Sequence, residues 1–241
     1  MDLYIEYICA LTNLYGHVLP EKVCEIYNQQ NKKQTHPVDI EVYLSNPDQK
    51  IEDRYIYIKH GEFVEEVLYL FEEKYKKLVA KQDGKPHYVP EKEELLKYAK
   101  LHYWERPAQY EELKTYILIH YFPENECMGE KLAEEIFYHI QLDKVDTALQ
   151  IFSHYEITFA DETESDTVLQ IMQRLSNNTR MKVHNGHTPF ELSKITGEPI
   201  YILPNKLPGE DDECHCGSKK KYKDCHLKED NKIKRLSDYR V

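Results

Sequence analysis

The densest chemistry in this chain lies near its end, in Cys214-His215-Cys216-Gly217-Ser218-Lys219-Lys220-Lys221-Tyr222-Lys223-Asp224-Cys225-His226. Cys214 and Cys216 flank a single residue and can both turn toward one ion. After Gly217 and Ser218, which can supply the turn, Cys225 and His226 offer two more donors. Three thiolates and one imidazole make a tetrahedral set suited to Zn²⁺, and a closed set of four leaves no open position for catalysis by the metal. A segment this short has almost no core of its own, so coordination would supply most of its folding energy. Three thiolates on a divalent ion leave one negative charge. Lys219, Lys220, Lys221 and Lys223 crowd around it and favour the thiolate forms. The same lysines form a compact candidate surface for a polyanion, whose binding must then weaken with salt.

The rest of the chain agrees with metal rather than disulfide. Cys9, Cys24 and Cys127 are scattered, the N-terminus has no basic and apolar leader, and no run approaches about eighteen apolar residues. A cytoplasmic chain without a membrane span is expected, where clustered cysteines hold metal. Charge is segregated. From Cys214 onward there are nine lysines or arginines against four acids, whereas the whole chain of 241 residues carries −11. An acidic body argues against coating DNA by bulk charge.

The elements that must position this segment read as mainly helical. Residues 1–85 form an N-terminal unit. Tyr4, Ile8, Leu11 and Tyr15 mark a first helix ended by Gly16, and Pro20 opens a second carrying Val23, Ile26 and Tyr27. His36 to Ser45 is a third. Asp53 to Lys59, rich in aromatic and β-branched residues, is a strand broken by Gly61. Three helices and a strand suggest a small α+β, winged-helix-like unit. Phe63, Val67, Leu70, Phe71, Tyr75 and Leu78 predict one amphipathic helix. Residues 86–199 form a helical domain: helices open at Pro90 and Pro107, and others carry Leu132, Ile136 and Ile140, then Leu149, Phe152 and Tyr155, then Val168, Ile171, Met172 and Leu175. The 20 tyrosines are expected to fill helix interfaces. Residues 200–213, with Pro204, Pro208, Gly209 and an acidic run, form a linker. The metal segment then spans 214–228 and a basic tail 229–241.

Around Cys214 to His226 the sequence resembles the SEC-C motif, the zinc-binding module that ends the SecA translocation ATPase and also tails many otherwise unrelated bacterial proteins. The pattern pairs Cys-x-Cys-Gly-Ser with Lys-Lys-Tyr-Lys and a closing Cys-His or Cys-Cys. The resemblance assigns Cys214, Cys216, Cys225 and His226 as the ligands, with His226 preferred over His215. It implies zinc, with iron as the alternative, and contacts with the ribosome or a chaperone. His215 replaces the usual Pro, and Lys219 replaces the usual Gly. Where that position is left-handed, Lys219 costs about 1 kcal/mol. Segments such as Glu25-Ile26-Tyr27-Asn28 and Gly186-His187-Thr188-Pro189 are similar to Firmicutes proteins with this tail, a similarity that brings no activity. The ATPase machinery does not carry over, for no Gly-x-x-x-x-Gly-Lys-Ser/Thr is present.

Two other clusters look site-like. Asn177-Asn178-Thr179-Arg180 and His184-Asn185-Gly186-His187 could bind a phosphate, but they read better as a helix end and a turn, with Thr188, Pro189 and Glu191 forming a capping box. No nucleophile and base can be paired. The leading reading is a non-enzymatic zinc-binding adaptor. Its tail would contact the ribosome or another translation or secretion component, and its helical body would bind a protein partner. The alternative is a nucleic-acid-linked regulator using the winged-helix-like unit, which would require a basic face within residues 20–60. A third reading is a hydrolase with a site in the helical body.

Overall fold

In the computed structural model, the residues described are 2–101, 103–142, 145–197, 210–213, 219–225 and 227. The first helix, α1 (Leu3–Tyr15), is capped by the Asp2 carboxylate and closed by Gly16. Its buried positions run almost all the way round, from Ile5 to Tyr15, which makes it the central helix of its unit. A two-residue strand, β1 (His17–Val18), follows, then α2 (Pro20–Gln30) with Pro20 in its first turn, α3 (Pro37–Ser45) and a single turn, α4 (Gln49–Glu52). Strands β2 (Ile56–Lys59) and β3 (Glu62–Glu65) form a hairpin. His60 and Gly61 both take positive φ at its tip, as a two-residue turn of the I′ kind demands. β1 pairs with the other edge of β3, His17 opposite Val64, so the antiparallel sheet runs β1–β3–β2. Helix, strand, two helices and a hairpin, in that sheet order, is the winged-helix order with α4 added.

Two expectations change here. The single amphipathic helix from Phe63 to Leu78 is instead β3 followed by α5 (Glu66–Leu70) and α6 (Glu72–Gln82). Phe63 and Val64 are adjacent and both fully buried, a pairing that a strand between two partners allows. The helix expected after Pro90 is only α7 (Lys92–Leu95) and a short 3₁₀ turn to Ala99. Leu95, Tyr98 and Ala99 pack into the same core as α1.

The chain divides into two compact units. The first comprises residues 1–105 and 181–187, the second 106–180 and 188–241. The returning segment 181–187 is sewn into the first unit by polar contacts. Asn185 Nδ2 donates to the carbonyls of Gln82 and Lys85, its own carbonyl accepts from Tyr88 N–H at 2.9 Å, and Lys85 Nζ donates to Val183 O. Gly186, at φ +81°, sits so close to α1 that a Cβ there would meet Leu14 at 3.0 Å and Tyr15 at 3.1 Å.

The second unit is helical, with α8 (Ala108–His120), α9 (Glu126–Gln141), α10 (Val145–His154), α11 (Glu162–Asn177) and α12 (Pro189–Thr196). The apolar stripes bury as their spacing dictates: Tyr110, Leu113 and Ile117 on α8, and Leu132, Ile136 and Ile140 on α9. α9 lies between α8 and α10, and α11 packs on α8. Thr188 caps α12 in a reciprocal capping box with Glu191. No described helix is long and apolar enough to cross a membrane.

His17 ties the first unit together. Its Nδ1 faces Glu62 Oε2 at 2.7 Å and its Nε2 faces Gln82 Oε1 at 2.6 Å. The Gln82 amide nitrogen donates to the carbonyls of Tyr15 and Lys182, so its oxygen is left to accept. Both ring nitrogens must therefore donate, which only imidazolium can do. Burial would lower the His17 pKa, but the hydrogen bond and charge of Glu62, with Gln82, outweigh it and raise it. A raised folded-state pKa contributes stability below the unfolded value of about 6.5, and that stability is lost as pH climbs through the raised value. The melting temperature of the native chain should therefore exceed that of His17→Gln by more at about pH 6 than at about pH 8.5. A gap that is constant or widens with pH would contradict the imidazolium.

Candidate metal centre

Of the four expected ligands, Cys225 lies among the described residues, half-buried, immediately after a 3₁₀ turn, Tyr222–Asp224. Cys214, Cys216 and His226 lie outside the described residues, as do the basic tail and residues 200–209 of the expected linker. What holds Cys225 is nevertheless clear. The acidic run 210–213 turns back on residues 221–223. Glu213 bridges Lys221 in antiparallel fashion, Tyr222 N–H donates to Asp212 O at 2.9 Å, and Lys223 N–H donates to Glu210 O at 3.0 Å. Tyr222 is buried, and Cys225 N–H donates to the Tyr222 carbonyl. This clasp joins residues 210–213 to residues 221–223, on either side of the segment that contains Cys214 and Cys216.

Charge closes the same clasp. Asp211 Oδ1 accepts from Lys221 Nζ at 2.9 Å and from Lys223 Nζ at 2.7 Å. These contacts, Lys223 first and Lys221 second, hold the Asp211 carboxyl below its usual pKa. All of these groups are exposed, so the pairs fix geometry more than they stabilise. Lys219 and Lys220 are also exposed. The four lysines expected to form a cationic patch thus stand at the surface, two of them sharing one carboxylate. Asp211 was not foreseen as part of the site. The signal that could have found it is the spacing of an acidic run and a lysine run on either side of one loop, the pattern of a charged hairpin.

Lys219 adopts φ +59°, in the left-handed region. This is the position where the resemblance expects Gly, and the chain carries a side chain there at a cost of about 1 kcal/mol.

The chemistry of the donor set, three thiols and an imidazole, fits a closed zinc site. Elsewhere the described residues give no alternative centre: no group of three or more His, Cys, Asp or Glu is placed among them to hold an ion. Cys9 is buried and its thiol is pushed up to about 12, chiefly by desolvation, which leaves it inert as a nucleophile at neutral pH.

Comparison with protein families gives a match to the SEC-C motif over residues 212–228. The chain therefore carries a SEC-C motif, and the match begins within the acidic strand of the clasp. No curated protein and no solved structure matches the chain.

Relief of the backbone at Lys219 is testable. With zinc loaded on the segment, as the SEC-C match leads one to expect, Lys219→Gly should raise the chelator concentration needed to strip it by about fivefold, the equivalent of about 1 kcal/mol. Lys219→Ala removes the same charge but keeps the strain, and should leave that concentration near the native value.

Proposed function

We propose that the protein is a cytoplasmic, non-enzymatic adaptor. Its SEC-C segment binds Zn²⁺, with iron as the alternative, through Cys214, Cys216, Cys225 and His226, and presents a basic face to the ribosome or another translation or secretion component. The helical body binds a protein partner. The observation that carries this reading is the SEC-C match over 212–228, which contains all four donors together with Lys219, Lys220, Lys221 and Lys223. When bound, the metal cross-links a loop that has no hydrophobic core of its own. The residues around it do the rest: Asp211 orients Lys221 and Lys223, and Tyr222 anchors the turn that leads to Cys225.

The winged-helix order of the first unit supports a second reading, a nucleic-acid-linked regulator. Its charge opposes that reading. α3, the second helix of the helix–helix pair and the one such units insert into a groove, contains Asp39 and Glu41 and no Lys or Arg, and exposes Val38 and Val42. A helix of that composition repels phosphates and suits a protein surface.

Three measurements test the adaptor reading. Cys216→Ser should lose most of the one zinc bound per chain, since a structural site needs all four ligands; full occupancy in that variant would end the assignment. Changing Lys220, Lys221 and Lys223 together to Glu should leave zinc content intact and strongly weaken co-sedimentation with ribosomes at low salt. Unchanged co-sedimentation, or a native interaction indifferent to salt, would leave the helical body as the binding surface. Affinity capture with the intact chain and with a chain ending at Pro208 then separates partners of the tail from partners of the body.

A further inference from the structure

The first unit contains a cleft of about 270 Å³ that the adaptor reading does not use. Its floor is formed by buried residues, among them Cys9, Thr12, Ile56 and Tyr98. Its walls carry Tyr55, Val67, Leu101 and Trp104. Three of these are large apolar side chains left open to water, Tyr55 at 50%, Val67 at 44% and Leu101 at 48% exposed.

Three cations and two acids line the same space: Arg54, Lys100 and Lys182 against Glu65 and Glu66. Lys182 pairs with Glu65 and lies over the Trp104 ring at 5.3 Å, and Glu66 accepts from the Tyr57 hydroxyl. Arg54 is held differently. Its Nε donates to Ala99 O at 2.5 Å and its Nη1 to Lys50 O at 3.1 Å, so neutral carbonyls fix the guanidinium and no described carboxylate neutralises it. Lys100 likewise has no acidic partner among the described residues. A guanidinium has five donors, and two carbonyls leave part of the fork unused.

The backbone beside Arg54 is strained. Tyr55 takes φ +57°, a conformation that costs a side-chain-bearing residue about 1 kcal/mol. It is held there by Tyr55 N–H on Glu52 O and by Glu66 N–H on Tyr55 O. That geometry sets the Arg54 guanidinium and the Tyr55 ring on one cleft, and strain kept at such a place points to binding.

We infer that this cleft binds an apolar carboxylate, with Arg54 taking the carboxylate, Lys100 adding charge at the rim, and the apolar body lying among Tyr55, Val67, Leu101 and Trp104. The excess of one positive charge suits a monoanion. A phosphate dianion would meet Glu65 and Glu66 with too few donors in return. Planar, paired recognition of a carboxylate is what an immobilised guanidinium does best. The ligand is either a free small acid or the last residue of a polypeptide with its α-carboxylate free, since both present the same chemistry.

Trp104 is the only tryptophan in the chain, so its emission reports on this cleft alone. The full chain is titrated with 3-phenylpropionate, with 3-phenylpropionamide, and with a hexapeptide ending in phenylalanine as the acid or as the amide. The acids should change Trp104 emission saturably and bind about tenfold more tightly than the matched amides, as a charge-assisted pair requires. Arg54→Gln should abolish that preference. Should that variant fail to fold for want of its bonds to Ala99 and Lys50, Lys100→Gln, at an exposed position, should weaken the acids about threefold without affecting the amides. Tighter binding by the peptide acid identifies a chain end as the source, and tighter binding by 3-phenylpropionate identifies a free acid. Four results would overturn the inference: no emission change, equal binding of acid and amide, an acid preference that survives both substitutions, or inorganic phosphate displacing the acids at equal concentration.

Discussion

The first unit depends on one buried amide. Gln82, at the end of α6, donates to the last carbonyl of α1 and to Lys182 in the returning segment, and accepts from His17 in β1. One side chain thereby connects a helix end, a sheet edge and a segment a hundred residues further along the chain. A buried amide satisfied on three sides is far harder to replace than its size suggests, because each lost partner would strand a desolvated carbonyl or imidazolium. Lys182 reaches Glu65 and Trp104 because Gln82 fixes its backbone, so the cleft inherits its shape from this amide.

Much of this arrangement was legible in the sequence, for reasons that are local. α1 announces itself by its apolar spacing and its glycine stop, α2 by Pro20, and α12 by the Thr188–Glu191 capping box. The SEC-C motif was equally plain, because its spacing of cysteines, lysines and tyrosine is a short-range property of the sequence. β1 and β3 were not legible. A two-residue strand has no period to detect, and Phe63 and Val67 fit a helical stripe as well as they fit a strand leading into a helix. What decides between them is the pairing of Val64 with His17 and of Phe63 with Val18, each more than forty residues away. Gln82 and Arg54 were missed for the same reason, since Gln82 binds the carbonyls of Tyr15 and Lys182 and Arg54 that of Ala99, all remote in sequence.

In the tail, the acidic run before Cys214 reads as linker by composition, yet it pairs with the lysine run. Opposite charges at matched distances from one loop are a hairpin register written in electrostatics. Asp211 pairs with both Lys221 and Lys223, so these two exposed lysines are held on one carboxylate of the acidic run. The winged-helix order shows the reverse separation of form from chemistry. The elements fall in the order of a nucleic-acid reader, while α3 carries Asp39 and Glu41 and exposes Val38 and Val42, so topology and surface charge point in different directions.

The first unit is discontinuous, and that has a consequence for its birth. Residues 106–180 must be synthesised before 181–187 can supply the backbone that Gln82, Lys85 and Tyr88 bind. At roughly 5–20 residues per second, the interval between residue 105 and residue 187 lasts roughly 4–16 s. Throughout it, the contact that Gly186 makes with Leu14 and Tyr15 of α1 is not yet available. The second unit meanwhile receives most of its helices ahead of that contact. The order of completion is thus inverted relative to the order of translation: the part made first is completed only after four of the second unit's described helices have been made.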